Sequence, residues 1–218
     1  MWFWTLASLG LAGTLDLAMG ALIVHLLSEY FVYPLVWWQY AIGALLGASP
    51  DLDLFYAFWS KTPNGHHEFL THRPIVGIPL AATIGWLLGG EFWAWCAGGG
   101  VFWHYLHDTK GFLCLYDSGL AWLWPFSRKY WGVKNLRVVS ETLGELFSKE
   151  KGFESIHATY LTPTRRSITE FLLMSIAMGY VVADVFGTQF GVAIVLLFWS
   201  GILVLWMMYA NYCAQTHR

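Results

Sequence analysis

Charge is what this chain has least of. Only 12% of its 218 residues are Asp, Glu, Lys or Arg, about half the share of an ordinary soluble domain. The 12 basic and 14 acidic residues nearly cancel, leaving a net charge of -2. No global field is therefore available to recruit nucleic acid. Cysteine is scarce too. Cys96, Cys114 and Cys213 stand far apart and form no Cys-x-x-Cys pair, which excludes a disulfide framework and a zinc knuckle and leaves free thiols. No basic segment precedes the apolar N-terminus and no small-residue cleavage site follows it. The first apolar stretch is thus expected to stay on the protein. Internal repeats and low-complexity segments are absent. Hydrophobic residues, by contrast, make up 57% of the chain, with 14 Trp, 11 Tyr and 15 Phe. Apolar runs with many aromatics at their ends mark an all-α, polytopic membrane helical bundle.

Six runs approach the length of about 20 residues that a crossing needs. They fall at roughly 14–33, 35–50, 74–90, 92–108, 167–187 and 189–211. Residues Trp2 to Ala12 are also apolar and either lie in the interface or extend the first span. In this scheme all 12 Lys and Arg residues lie on one side, between spans two and three, between spans four and five, and at Arg218. The opposite connections carry Glu29, Glu91 and Asp184 instead. By the positive-inside rule both termini face the cytoplasm, in a prokaryotic-type inner membrane. The segment from Lys110 to Arg166 is too long for a simple connector. Its aromatic part, Asp117 to Phe126, is expected to hug the membrane surface. Leu143, Leu146 and Phe147 then share one face of an amphipathic surface helix that starts at Ser140 and ends near Gly152. Three parts result: a four-span core over 1–133, a cytoplasmic amphipathic segment over 134–166, and a pair of spans over 167–218.

Ionisable groups are costly near a bilayer, so a convergence of them needs a reason. Asp51 and Asp53 follow span two in Ala48-Ser-Pro-Asp-Leu-Asp53. Pro50 disfavours helix at Ser49, which ends the span there. Two carboxylates so close repel each other unless a cation is shared between them; the plain alternative is a polar turn that caps the helix. His66, His67 and His72 lie in Gly65-His-His-Glu-Phe-Leu-Thr-His-Arg-Pro74. Imidazole is the commonest neutral metal ligand, and Thr71 or Glu68 is placed to orient one, although histidines in a surface loop are often inert. His104-Tyr-Leu-His-Asp108 closes span four. His104 and Asp108, at i and i+4, share a helical face. Such a pair can bind one metal or simply hydrogen-bond between packed helices. His107 is also within reach. Asp16 opens span one, as an N-cap or as a further ligand. His25 lies deeper and is expected to pack helices, Glu29 to sit at the outer interface, and His157 and His217 to be solvated.

At these residues the chain resembles the YdjM-type family of membrane-bound, metal-dependent hydrolases, a label itself based on inference. The family pattern ends a short apolar helix in Leu-Pro-Asp-x-Asp, continues with His-x-x-x-Thr-His, and then has His-x-x-x-Asp near a helix end. Here these read Ala48 to Asp53, His67 to His72, and His104 to Asp108. A later Gly and a Trp-Pro-Phe segment match Gly119 and Trp124 to Phe126. The chain departs from the pattern at Asp16 and Leu54, where the family commonly has His, and in a longer segment between Asp108 and Gly119. More distantly the pattern is similar to the zinc phospholipase C and nuclease group, although no His-x-x-x-Glu completes a three-metal set.

The expectation is a metal-dependent hydrolase at the cytoplasmic membrane face. Asp16, Asp51, Asp53, His67, His72, His104, His107 and Asp108 would bind one or two divalent ions, zinc first, with manganese or iron as substitutes. Whichever of Asp51 and Asp53 is not used as a ligand would act as general base, and Arg73 would hold an anionic group. The resemblance implies a phosphoester or phospholipid-like substrate. The alternative is a non-catalytic metal-binding scaffold or a transporter.

Overall fold

The computed structural model describes residues 2–53, 70–109, 120–126, 130–131, 138–139 and 157–216. The protein is an all-α membrane helical bundle. Its helices are α1 (Trp2–Ala12), α2 (Thr14–Phe31), α3 (Trp37–Ala48), α4 (Pro74–Asp108), α5 (Arg165–Phe186) and α6 (Thr188–Thr216). Among the described residues, a two-residue antiparallel ladder pairs Tyr130 with Val139 and Trp131 with Val138. The amphipathic helix expected after Ser140 lies outside the described residues. Two compact units form, one from residues 1–15 with 153–218 and one from 16–152.

Among the described residues, four helical stretches are long and apolar enough to cross a membrane: Phe3–Phe31, Pro74–Asp108, Arg165–Phe186 and Thr188–Thr216. Six spans were expected, and the difference arises at two places. The expected span over 35–50 is the 12-residue α3. That is about 18 Å of helix, against a hydrocarbon core of about 30 Å. The expected spans over 74–90 and 92–108 are two arms of α4 that meet at Gly90, where φ is 77° and ψ -162°. Side chains are excluded from that backbone region, so glycine alone permits it. The arms fold back on each other. A Cβ at Gly85 would strike the Trp93 carbonyl, Gly98 faces Ala82, and Gly77 faces the Tyr105 hydroxyl. Both ends of α4 therefore lie at the same end of the second unit. Each arm is only about 25 Å long.

In that unit α2 and α3 cross at unusually close range. A Cβ at Gly20 would run into the Gly43 carbonyl, and one at Gly47 into the Asp16 carbonyl. Small residues are the usual way for helices in lipid to approach this closely. Gly100 of α4 adds a third backbone, with the Gly47 nitrogen 3.3 Å from where its Cβ would be. Deeper along α2, His25 is buried, and its Nδ1 lies 3.3 Å from the Tyr40 hydroxyl on α3. This agrees with the expected packing role.

The other unit is built on α5 and α6, joined at Gly187, which has φ 104°. Thr164 caps α5 by accepting a hydrogen bond from the Ser167 backbone N–H at 3.1 Å. Trp4, Leu11, Tyr160, Leu161, Phe171 and Ile202 form the core of this unit. The buried Glu170 is paired on both oxygens, at 2.7 Å from the Tyr160 hydroxyl and 2.6 Å from Arg166 Nε. His157 was expected to be solvated. It instead meets Thr5 Oγ1 at 3.1 Å and Tyr209 ring-to-ring at 6.4 Å, because the residues before α5 fold onto α1 and α6. His217 lies outside the described residues.

Candidate metal centre

Local structure delivers the carboxylates first. Helix α3 ends at Ala48, and a 3-10 turn over Ser49–Leu52 follows, with Pro50 near its start. This short turn presents Asp51 and then Asp53 at the end of α3. On the other side of the site, Leu70–His72 form a second 3-10 turn. Arg73 is extended, at φ -108° and ψ 98°, as the residue before Pro74 must be. Pro74 then starts α4 where no backbone donor is needed. Because α4 returns at Gly90, its last turn brings His104, His107 and Asp108 back beside His72.

Among the described residues, four side chains converge. Asp51, His72, His104 and Asp108 each offer one ligand atom, and all four atoms lie within 4.8 Å of one another. His72 Nε2 is 3.6 Å from Asp51 Oδ1 and 3.4 Å from Asp108 Oδ2. His104 Nε2 is 3.5 Å and 3.1 Å from the same two oxygens. The imidazoles are fully buried, whereas Asp51 and Asp108 keep 28% and 19% of their side-chain surface. The group thus has a closed histidine side and a carboxylate side open to solvent.

The proton positions follow from the outer partners, since a carboxylate or a carbonyl can only accept. His72 Nδ1 donates to Asp53 Oδ2 at 2.8 Å, and the Thr71 hydroxyl donates to the same oxygen. His104 Nδ1 donates to the Gly47 carbonyl at 3.1 Å. In the neutral rings both Nε2 lone pairs then face Asp51 and Asp108. Lone pairs on anionic oxygens repel, so either a proton or a cation must stand between them. A divalent ion fits this donor set. With ligand bonds near 2.0–2.1 Å, a tetrahedron has edges of about 3.3–3.4 Å, close to the four separations above. His104 Nε2 is also buried without a hydrogen-bond partner.

In the absence of metal, a proton fills that role. Burial alone would push the Asp51 carboxyl up, but His104 and His72 outweigh it and hold the group well below the usual carboxylate range. Burial likewise pushes the His72 imidazole toward neutral, but Asp108, Asp51 and Asp53 outweigh it and raise it to about 10. The raised histidine stabilises the folded state fully below its unfolded value of about 6.5, and this is lost as pH climbs toward the folded value. Metal-free protein should therefore lose thermal stability between about pH 6.5 and 10. Metal must displace the same proton, so its binding should tighten with pH over that window. Thermal melts with and without chelator across pH would show a gap that widens upward; a parallel pair of curves would contradict it.

The remaining expected residues divide. Asp53 stands behind His72 as its orienting carboxylate. Asp16 is buried and accepts from Trp103 Nε1 at 3.1 Å and from His107 Nδ1 at 3.0 Å. Its Oδ2 also lies 3.5 Å from His104 Nδ1. The structure thus gathers Asp16 and His107 as a pair behind His104, separate from the four converging atoms. Arg73 is buried with its guanidinium over the Trp124 ring, 5.7 Å from the centroid. His67 lies outside the described residues. Sequence reasoning missed Trp103, the Gly47 carbonyl and Tyr105, whose hydroxyl donates to the Thr71 carbonyl. The i,i+4 spacing of Gly43 and Gly47 was the one available signal for the close helix crossing. As the orienting group of His72, Asp53 should matter indirectly: Asp53→Asn is expected to weaken metal affinity about 10- to 100-fold, read by competition with a chromophoric chelator.

The sequence also matches a known family. The sequence model of the YdjM inner membrane protein family matches residues 14–210. The chain belongs to that family. The match includes α2 to α5, nearly all of α6 and every residue of the converging group. Together with the apolar helices, membership of the YdjM family makes this an integral membrane protein. No curated protein and no solved structure matches the chain.

Proposed function

We propose that Asp51, His72, His104 and Asp108 hold a divalent cation, zinc in the first place, and that the protein is a membrane-bound hydrolase of phosphoesters, phospholipids included. The observation that carries this reading is the set of two Nε2 atoms and two carboxylate oxygens 3.1 to 3.6 Å apart. Such an ion would polarise a phosphoryl oxygen and make water more acidic. The protein's own groups do the rest. Asp53 and the Gly47 carbonyl hold a proton at each Nδ1 and so aim both Nε2 lone pairs inward. The partly exposed Asp51 and Asp108 border the side from which substrate and water arrive. With Asp51 in the ligand set, the carboxylate left to act as general base is Asp53, whose Oδ2 accepts from His72 and Thr71 and whose Oδ1 is not part of that pair of bonds. Arg73, next to His72, supplies positive charge for an anionic substrate. His67, Asp16 and His107 remain candidates for a second ion. The run of basic residues from Lys110 to Arg166 supports, by the positive-inside rule, a cytoplasmic site and cytoplasmic termini.

A second reading has its own support. Four protein donors already complete a tetrahedron, and closed sites are usually structural. The two readings separate in one experiment: elemental analysis of purified protein, with hydrolysis of phosphatidylglycerol and of a soluble phosphoester by wild type and His72→Ala. Metal-dependent release lost in His72→Ala supports the hydrolase. Stoichiometric metal without turnover supports the scaffold, and protein purified without metal that takes up none overturns both.

A further inference from the structure

The short turn at 120–126 is fastened to the metal end of α4 and yet exposes its largest apolar side chains. Leu120 and Ala121 are fully buried, and Leu120 packs with Val101 and Tyr105. Trp122 Nε1 donates to Thr109 Oγ1 at 2.7 Å. Trp124 lies under the Arg73 guanidinium. The turn is therefore clamped to residues 73 and 109, which flank α4 on either side. From this clamped base Leu123 is 47% and Phe126 86% exposed. Leu52, between the two aspartates, and Leu70, two residues before His72, are also exposed.

The position of the clamp says what covers these side chains. Residues 73 and 109 mark the ends of the apolar arms of α4, so they sit where hydrocarbon gives way to head groups. Exposed faces of those arms, at Leu80, Ile84 and Phe102, continue the apolar surface into the membrane. A buried Arg stacked on Trp at that boundary matches the anionic, amphipathic chemistry of a lipid interface. An exposed Phe on a fixed turn at this depth has acyl chains to enter, not water.

We propose that the 120–126 turn is an interfacial anchor: Leu123 and Phe126 insert among lipid acyl chains beside the Arg73–Trp124 pair and hold the mouth of the metal-ligating group at head-group level. The partner is the lipid bilayer itself. Insertion stands independently of the hydrolase reading; its consequence, that a substrate phosphate is presented from a membrane lipid, rests on that reading.

The test uses full-length protein with Cys96, Cys114 and Cys213 replaced, a bimane label at Phe126→Cys, and vesicles of phosphatidylethanolamine and phosphatidylglycerol. A nitroxide on carbon 5 of the lipid chain is expected to quench the label at least about threefold more strongly than aqueous iodide, since an inserted side chain lies among the acyl chains and out of reach of the aqueous quencher. Leu123→Cys reports the same if Phe126→Cys misfolds. Equal or stronger quenching by iodide at both positions overturns the anchor. A Leu123→Asp/Phe126→Asp variant adds the functional arm. Hydrolysis of vesicle lipid should fall at least about tenfold while metal content and turnover of a soluble phosphoester stay unchanged, since the charges affect only insertion. Lipid quenching with no turnover of any substrate would leave the anchor standing and sink the hydrolase. Unchanged vesicle turnover in the aspartate variant would show that the mouth does not depend on the anchor.

Discussion

Replacing His104 with alanine is expected to strip the protein of stoichiometric metal and to abolish its thermal response to added zinc. His104 contributes on both of its nitrogens. Nδ1 is fixed by the Gly47 carbonyl at 3.1 Å, and Nε2 faces Asp108 and Asp51 at 3.1 and 3.5 Å. Removing the ring takes away a buried donor and leaves two carboxylates facing His72 alone. The loss in metal affinity should exceed the roughly 10- to 100-fold that a supporting residue such as Asp53 costs. It should also be visible as stability. A ligand present at about a thousand times its dissociation constant stabilises the folded state by about 4 kcal/mol, so wild type should melt well below its metal-loaded temperature once chelated. His104→Ala should melt at the same temperature with and without metal. Breaking a buried charged cluster is itself destabilising, by about 3–5 kcal/mol, so His104→Gln, which keeps most of the volume, is the companion variant. Elemental analysis and paired melts of both proteins decide the matter: a variant that retains one metal per chain rules out His104 as a ligand.

The second large effect lies away from the ligands. Gly47→Leu is expected to destabilise the protein by about 3 kcal/mol or more, at the upper end of what overpacking costs. A Cβ at Gly47 meets the Asp16 carbonyl and the Gly20 Cα. Both are backbone atoms, and neither can rotate aside. Helix α2 would have to retreat from α3, which also displaces Asp16 and alters the carbonyl that orients His104. Stability and metal affinity should therefore fall together. Gly10→Leu is the contrasting case. Nothing lies within 4 Å of its Cβ position, so the change should stay within about 0.5 kcal/mol. Melting temperatures in detergent and chelator competition for the two variants test this. A Gly47→Leu protein with wild-type stability would mean that the α2–α3 crossing is looser than its geometry.

Expectations from sequence succeeded where one residue type forces one local outcome. Pro50 ended α3 at Ala48, Pro74 started α4, and the spans expected over 167–187 and 189–211 are α5 and α6. The spacing of His104 and Asp108 placed them on one helical face, and both converge with Asp51 and His72. Expectations failed where hydropathy had to stand for depth. The run over 35–50 is apolar enough to cross yet ends as a helix of 12 residues, since hydropathy counts Leu35, Val36 and the turn after Ala48 together with the helix and does not register where the helix starts and stops. Gly90 read as an ordinary end of a span, and only its backbone angles tie the two arms into one element.

By itself, then, the sequence determined that this is an integral membrane bundle of helices and that its few ionisable side chains include a small set of aspartates and histidines at helix ends. Both follow from local physics, the cost of charge in hydrocarbon and the rules of helix termination. Tertiary structure alone decided the division of labour within that set. Asp51, His72, His104 and Asp108 face one another, while Asp53 stands behind His72, and Asp16 with His107 behind His104. That division depends on which backbones touch. The approach of α2 to α3 at Gly20, Gly43 and Gly47, and the return of α4 at Gly90, set distances between residues far apart in the chain, which no local pattern encodes.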